Sequence, residues 1–224
     1  MIRAINMNLL SERRQRRHGV PGVWGPLLLA VLFFGTSITS ADAQSRWQQT
    51  VQVITPVVPD EITGALLDSL VQVVDRNSVP VRRTPDDEEE YSVRDLSDRL
   101  LDEGLDVTSA NQMFITYRYE ADARSFKSDI VDLQFIYRPV EYEDADVPIL
   151  SVDAMHPIVK NMLVANGTRL ESNEAVFEPF WDQLRMHQLE DGRVVMVGGK
   201  ILRDDAEAEH EKQRILGIIR HFLY

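Results

Sequence analysis

Asp153 and His156, in the run Asp153-Ala154-Met155-His156 just after a predicted strand, are residue types suited to paired acid and base work. A loop at the carboxyl end of a strand often holds such groups. Spacing alone supplies neither a nucleophile nor oxyanion donors, however, and Asp153 is equally suited to cap the helix that follows, with His156 at its start. Glu207, His210 and Glu211 share one face of another predicted helix. Glu-x-x-His is half of a carboxylate-bridged di-metal site in helical bundles, but no second copy supplies the facing ligands, so the group reads as a solvated helix face.

Three further patterns have structural readings of equal reach. Gly198-Gly199-Lys200 lacks the preceding glycine and the following Ser or Thr of a phosphate-binding loop and reads as a strand bulge. Asn166-Gly167-Thr168 fits a glycosylation sequon, yet Asn-Gly after an apolar helix reads as a left-handed stop. Tyr117, Tyr119, Phe135, Tyr137, Phe177, Phe180 and Trp181 could line a pocket, and a small sheet packed on a helix needs the same set as its core. Cysteine is absent, which removes disulfides, thiolate metal sites and a lipid anchor on an N-terminal Cys. The residues therefore assign no catalytic, cofactor-binding or metal position, and no cofactor.

The elements that would carry these groups follow from period and punctuation. Thr50 to Val58 is β-branched but contains Pro56 and precedes Pro59, which makes it at most an edge strand. Asp60 to Asp75 places Ile62, Leu66, Leu70, Val73 and Val74 on one helical face. The stretch 77–90, with Pro80, Pro85 and the run Asp86-Asp87-Glu88-Glu89-Glu90, reads as a solvated linker. Ser92 then caps a second helix that buries Val93, Leu96, Leu100 and Leu101 and ends at Gly104.

A β-hairpin is the clearest element. Met113, Ile115, Tyr117 and Tyr119 alternate with polar neighbours, as do Val131, Leu133, Phe135 and Tyr137, with Phe126 expected near the tip of the loop between them. A third strand is expected at 147–152, a helix from Pro157 to Ala165, and a helix over Val176 to Leu189 that starts or kinks at Pro179. Arg193 to Val197 is apolar on both faces and reads as a central strand. Asp204 to Leu223 closes the chain as a helix burying Ile215, Ile218, Ile219 and Phe222. The fold class expected is α+β, a small, mostly antiparallel sheet of the hairpin 112–138 and strands near 147–152 and 193–202, with helices packed on one face.

The first 43 residues have a separate character. Arg3, Arg13, Arg14, Arg16 and Arg17 precede an apolar run from Val23 to Phe34, shorter than the ~20 residues that cross a bilayer. Ala41-Asp42-Ala43 then places small residues where a signal peptidase requires them, so 1–43 reads as a cleavable signal peptide with Gln44 as the mature start. The leader holds five of the 24 Lys and Arg and two of the 36 Asp and Glu, which leaves residues 44–224 with a net charge of −15. Such a surface repels phosphate backbones and anionic headgroups, which argues against nucleic acid as a partner.

The organisation expected is a signal peptide (1–43), an extended N-terminal arm (44–58), a helical pair with an acidic loop at 77–90 (59–104) and an α+β core (105–224). The function expected is an exported, non-catalytic binding or accessory protein, periplasmic or extracellular, with another envelope or secreted macromolecule as partner and no membrane span after cleavage. Two alternatives stand beside it: a carrier of a small molecule or lipid in an apolar pocket, and a periplasmic hydrolase using Asp153 and His156.

Overall fold

Along residues 112–121 every second side chain is buried, Met113, Ile115, Tyr117, Tyr119 and Ala121, which is the mark of a strand with one face on a core. The computed structural model describes residues 47–122, 125–140, 145–170, 173–189 and 191–223, so the signal-peptide reading of 1–43 lies outside it. That strand, β2 (Gln112–Ala121), stands near the middle of a six-stranded antiparallel sheet. Its members are β1 (Trp47–Pro56), β2, β3 (Phe126–Tyr137), β4 (Val147–Asp153), β7 (Arg193–Val197) and β8 (Lys200–Ile201), in the order β4-β3-β2-β1-β7-β8. A separate hairpin pairs β5 (Gly167–Leu170) with β6 (Asn173–Pro179). The helices are α1 (Ile62–Asn77), α2 (Val93–Asp102), α3 (Pro157–Ala165), the single turn α4 (Phe180–Gln183) and α5 (Asp205–Leu223). The protein is α+β, with its helices packed on the sheet as expected.

Local chemistry accounts for the helix ends. The Ser92 hydroxyl accepts from the Asp95 amide at 3.1 Å, and Asp204 Oδ1 accepts from the Glu207 amide at 3.0 Å, each satisfying an otherwise orphan donor. Pro157 occupies the first turn of α3, where its missing N–H costs nothing. The buried stripes are Leu66, Leu67, Leu70 and Val74 on α1 and Val93, Leu96 and Leu100 on α2. Leu101, expected in the α2 stripe, points outward and is 62% exposed.

Several expectations are corrected. β1 is not an edge strand, because it pairs with β2 on one side and with β7 on the other, and Val51, Val53 and Ile54 are buried. In β3 the register shifts opposite Thr116 and Tyr117, so that Tyr117 faces Ile130 and Thr116 faces Asp132. Val131 is the extra residue of this bulge, and Ile130 takes the buried place expected of it. Phe126 does not sit at a loop tip. It opens β3 opposite Ala121, and its ring stacks between Tyr119, 6.1 Å away, and Phe222, 5.5 Å away.

The stretch read as a solvated linker is exposed at Asn77, Ser78, Pro80 and most of its acidic run, but it is anchored between them. Val79 and Val81 are buried, Val81 exchanges both backbone hydrogen bonds with Tyr91, and Arg82 does the same with Ser151 on the outer edge of β4. Val176 and Phe177, read as helical, lie in β6, and Pro179 ends that strand so that helix begins only at Phe180. Asn166 is extended rather than left-handed, and the chain passes straight from α3 into β5. Gly167 is required for a different reason, since a Cβ there would stand 1.9 Å from the Glu178 carbonyl oxygen across the hairpin. Gly198 and Gly199 form the two-residue turn between β7 and β8 rather than a bulge, with φ of 57° and 83°. β7 is interior as expected, paired with β1 on one side and with the two-residue β8 on the other.

Candidate functional site

The groups singled out in the sequence disperse in three dimensions. Asp153 Oδ1 accepts from the Met155 amide at 2.8 Å and so shapes the turn into α3. His156 sits at the cap position of that helix, and its Nδ1 is buried without a hydrogen-bond partner. No Ser or Thr oxygen hydrogen-bonds that nitrogen, so the nucleophile a hydrolase would need does not meet it there. On α5, Glu207 pairs with Lys200 and Glu211 with Arg214, and among the described residues no group of three His, Asp or Glu side chains could hold a metal ion. Lys200 belongs to β8, directly after a turn whose two glycines present no helix start to a phosphate.

The aromatic set divides. Phe135 and Phe180 are fully buried core, while Phe177 is 51% exposed on β6. Tyr117 and Tyr119 are also core, each 1% exposed, and with the partly buried Trp181 they line a pocket of about 180 Å³ between the inner face of β2 and β3, the segment 181–187 and the last turns of α5. Ile130 and Met186 complete the apolar wall, with Phe126 beside them and Ile219 contributed by α5. The charged and polar lining is Arg185, His187 and Ser128.

Each wall is fixed by its own interactions. The Tyr117 hydroxyl donates to the Leu184 carbonyl at 2.5 Å, and the Tyr119 hydroxyl lies 3.6 Å from Met186 Sδ, so the two buried phenols tie β2 to the segment after α4. Burial pushes both phenols well above their usual range, which keeps them neutral donors at any physiological pH. A column of rings runs Trp47, Tyr119, Phe126, Phe222 with centroids 5.5–6.4 Å apart, the distance of favourable offset stacking. The ammonium of Lys160 lies 5.1 Å from the Trp181 ring centre and 3.5 Å from Asp129. Arg185 pairs with Asp182 at 2.6 Å. The His187 imidazole is held below its usual range, first by burial and then by the nearby guanidiniums of Arg185 and Arg220.

A second perturbed group lies outside the pocket, on the face of β3 opposite Leu133. Burial pushes the Asp132 carboxyl up to about 6; the Ser151 hydroxyl, 3.2 Å from both carboxylate oxygens, and the Arg82 cation oppose the shift, while Asp153 adds to it. Its folded value stands above the unfolded value of ~3.9, so the stability it contributes is complete below about pH 4 and is lost as pH rises through about 6. Asp132→Asn keeps the shape and an acceptor for Ser151 but cannot ionise. The variant should match the parent near pH 4 and exceed it by about 1–2 kcal/mol above pH 7, the smaller figure allowing for partial solvent screening. Paired thermal melts at the two pH values check this, and a difference that does not change with pH would contradict it.

Among the pocket residues, Tyr117, Tyr119 and Trp181 were legible in advance; Phe126, Ser128, Ile130, Arg185, Met186, His187 and Ile219 were not. Residues 185–187 belong to no motif, and only the sheet order brings them beside β2 and β3. No protein-family model matches the chain, and no curated protein matches it in sequence.

Proposed function

We propose that the chain is an exported, non-catalytic binding protein whose ligand site is the pocket between β2, β3, the 181–187 segment and α5. The observation that carries this reading is the composition of that pocket: aromatic and aliphatic walls held by buried hydrogen bonds, with arginine, histidine and serine among its lining. Concave, mostly apolar sites with a few convergent polar groups are the usual form of small-ligand pockets. It favours a small ligand over the macromolecular partner that the sequence alone put first. It also disfavours a lipid, because about 180 Å³ lies below the ~300 Å³ at which drug-sized pockets begin. Export rests on the leader, and intact mass spectrometry of the secreted or periplasmic protein should find a chain beginning at Gln44. A chain retaining Met1 in the membrane fraction would withdraw that part of the reading. No described helix is long and apolar enough to cross a membrane.

The binding site is tested by filling it. Ser128 is exposed at the pocket and its side chain hydrogen-bonds with Tyr119, so Ser128→Trp should place an indole there at the cost of that one bond, ~0.5–1.5 kcal/mol. A panel of one-ring compounds should raise the melting temperature of the parent protein and not that of the variant, because only ligands of the native state stabilise it. Equal shifts in both proteins, or none in either, would remove the pocket as the site.

A further inference from the structure

Resting on that reading of the site, we infer that the pocket takes a compact organic anion: one apolar ring against Trp181, and a carboxylate or similar group turned towards Arg185. Size sets the body of the ligand. An engineered apolar cavity of about 150 Å³ holds a single benzene, so a pocket of about 180 Å³ accommodates one ring and a short substituent, and excludes an acyl chain or a fused polycycle. The shape of the wall sets its character. Tyr119 is stacked on both sides by other rings, Tyr117 at 5.9 Å and Phe126 at 6.1 Å, so the aromatic wall is stiff and its planes lie within about 20° of each other.

Charge sets the remaining end. The chain outside the leader carries −15, yet the charged side chains lining this pocket are cationic or titrate as cations, Arg185 and His187. Arg220 adds to the same field, since it and Arg185 both oppose protonation of His187. Acidic groups nearby are already engaged: Asp182 holds one nitrogen of Arg185, and Asp129 holds Lys160 behind Trp181. A guanidinium has five N–H donors, so a single oxygen at Nη2 leaves most of its fork for a second acceptor. Arg185 is the permanently charged side chain of the lining, and the donors that Asp182 leaves open favour an anion over a cation of equal size.

The test uses probes of one size and three charges: phenylacetate, benzyl alcohol and benzylamine, titrated calorimetrically into the full protein in low salt. Phenylacetate should bind at least tenfold more tightly than benzyl alcohol, and benzylamine most weakly. Arg185 is 49% exposed, so Arg185→Gln should fold and reduce the preference for phenylacetate over the alcohol to about one. Raising the salt concentration should erode the preference in the parent protein in the same direction, which gives a reading that needs no variant. If benzyl alcohol binds as well as or better than phenylacetate, and Ser128→Trp abolishes that binding, the anion inference fails while the pocket stands. If no probe binds, both fail. An anion preference that survives Arg185→Gln unchanged overturns the placement of the charged group.

Discussion

Deleting residues 215–224 should abolish cooperative folding, because the end of α5 closes the core rather than decorating it. Ile215, Leu216 and Ile219 are buried, at 0%, 8% and 6% exposure, and all three join the continuous apolar cluster that includes the β2 and β3 side chains. At ~1.5–3 kcal/mol for each fully buried side chain, their loss removes roughly 5–9 kcal/mol, which is comparable with a net stability of ~5–15 kcal/mol. The deletion also takes the Phe222 ring from Phe126 and uncovers the pocket wall at Ile130 and Tyr119. The first turns of α5 cannot compensate. Among them Ala208 is the buried apolar residue, and the helix is otherwise tied to the sheet side by Lys212, whose ammonium donates to the Gly192 carbonyl at 2.6 Å, and by the Asp205–Arg193 pair at 2.8 Å. A circular dichroism melt of the shortened chain should show no transition. A sharp transition at the parent temperature would mean that the helix end serves a partner and not the core.

How far the sequence could be read is decided by whether each element carries its own signal. The hairpin was legible because alternation is a local property, and α2, α3 and α5 because their caps and apolar spacing lie within one stretch of chain. The misread segments fail for identifiable reasons. Val176, Phe177, Phe180, Trp181 and Leu184 fall at helical spacing, yet the first two belong to a strand and the rest follow Pro179; the Phe180 amide then donates to Asn166 on the neighbouring segment, a bond no local pattern announces. Val131 obeyed the alternation of the sequence but not that of the strand, because one bulge moves every residue beyond it to the other face. The pocket was least legible of all. Its three walls, residues 117–130, residues 181–187 and Ile219, are separated by about thirty to a hundred positions along the chain, and the order in which β1 inserts between β2 and β7 sets where the later segments return.

That insertion makes Val51→Pro the sharpest test of the sheet order, with an expected loss of roughly 3–6 kcal/mol. On an edge strand, proline is tolerated when its missing N–H would have faced solvent. β1 has no such side at Val51, which stands opposite Tyr117 on β2 and opposite Val197 on β7. Whichever neighbour the Val51 amide serves, its removal strands a carbonyl inside the sheet, at a cost of ~1–3 kcal/mol. Val51 is itself fully buried, so losing its packing adds ~1.5–3 kcal/mol. Pro56 shows why the native strand carries a proline without this penalty. It is the last residue of β1, opposite Gln112, and lies beyond the stretch Val51 to Ile54 that pairs with β7. Denaturant unfolding of Val51→Pro beside a Val51→Ala control separates the two terms, since alanine loses the packing and keeps the amide. Proline should fall below alanine by at least the cost of the broken ladder bond. Equal midpoints for the two variants would place β1 at the edge after all, and would separate the pocket's later segments from the strand that positions them.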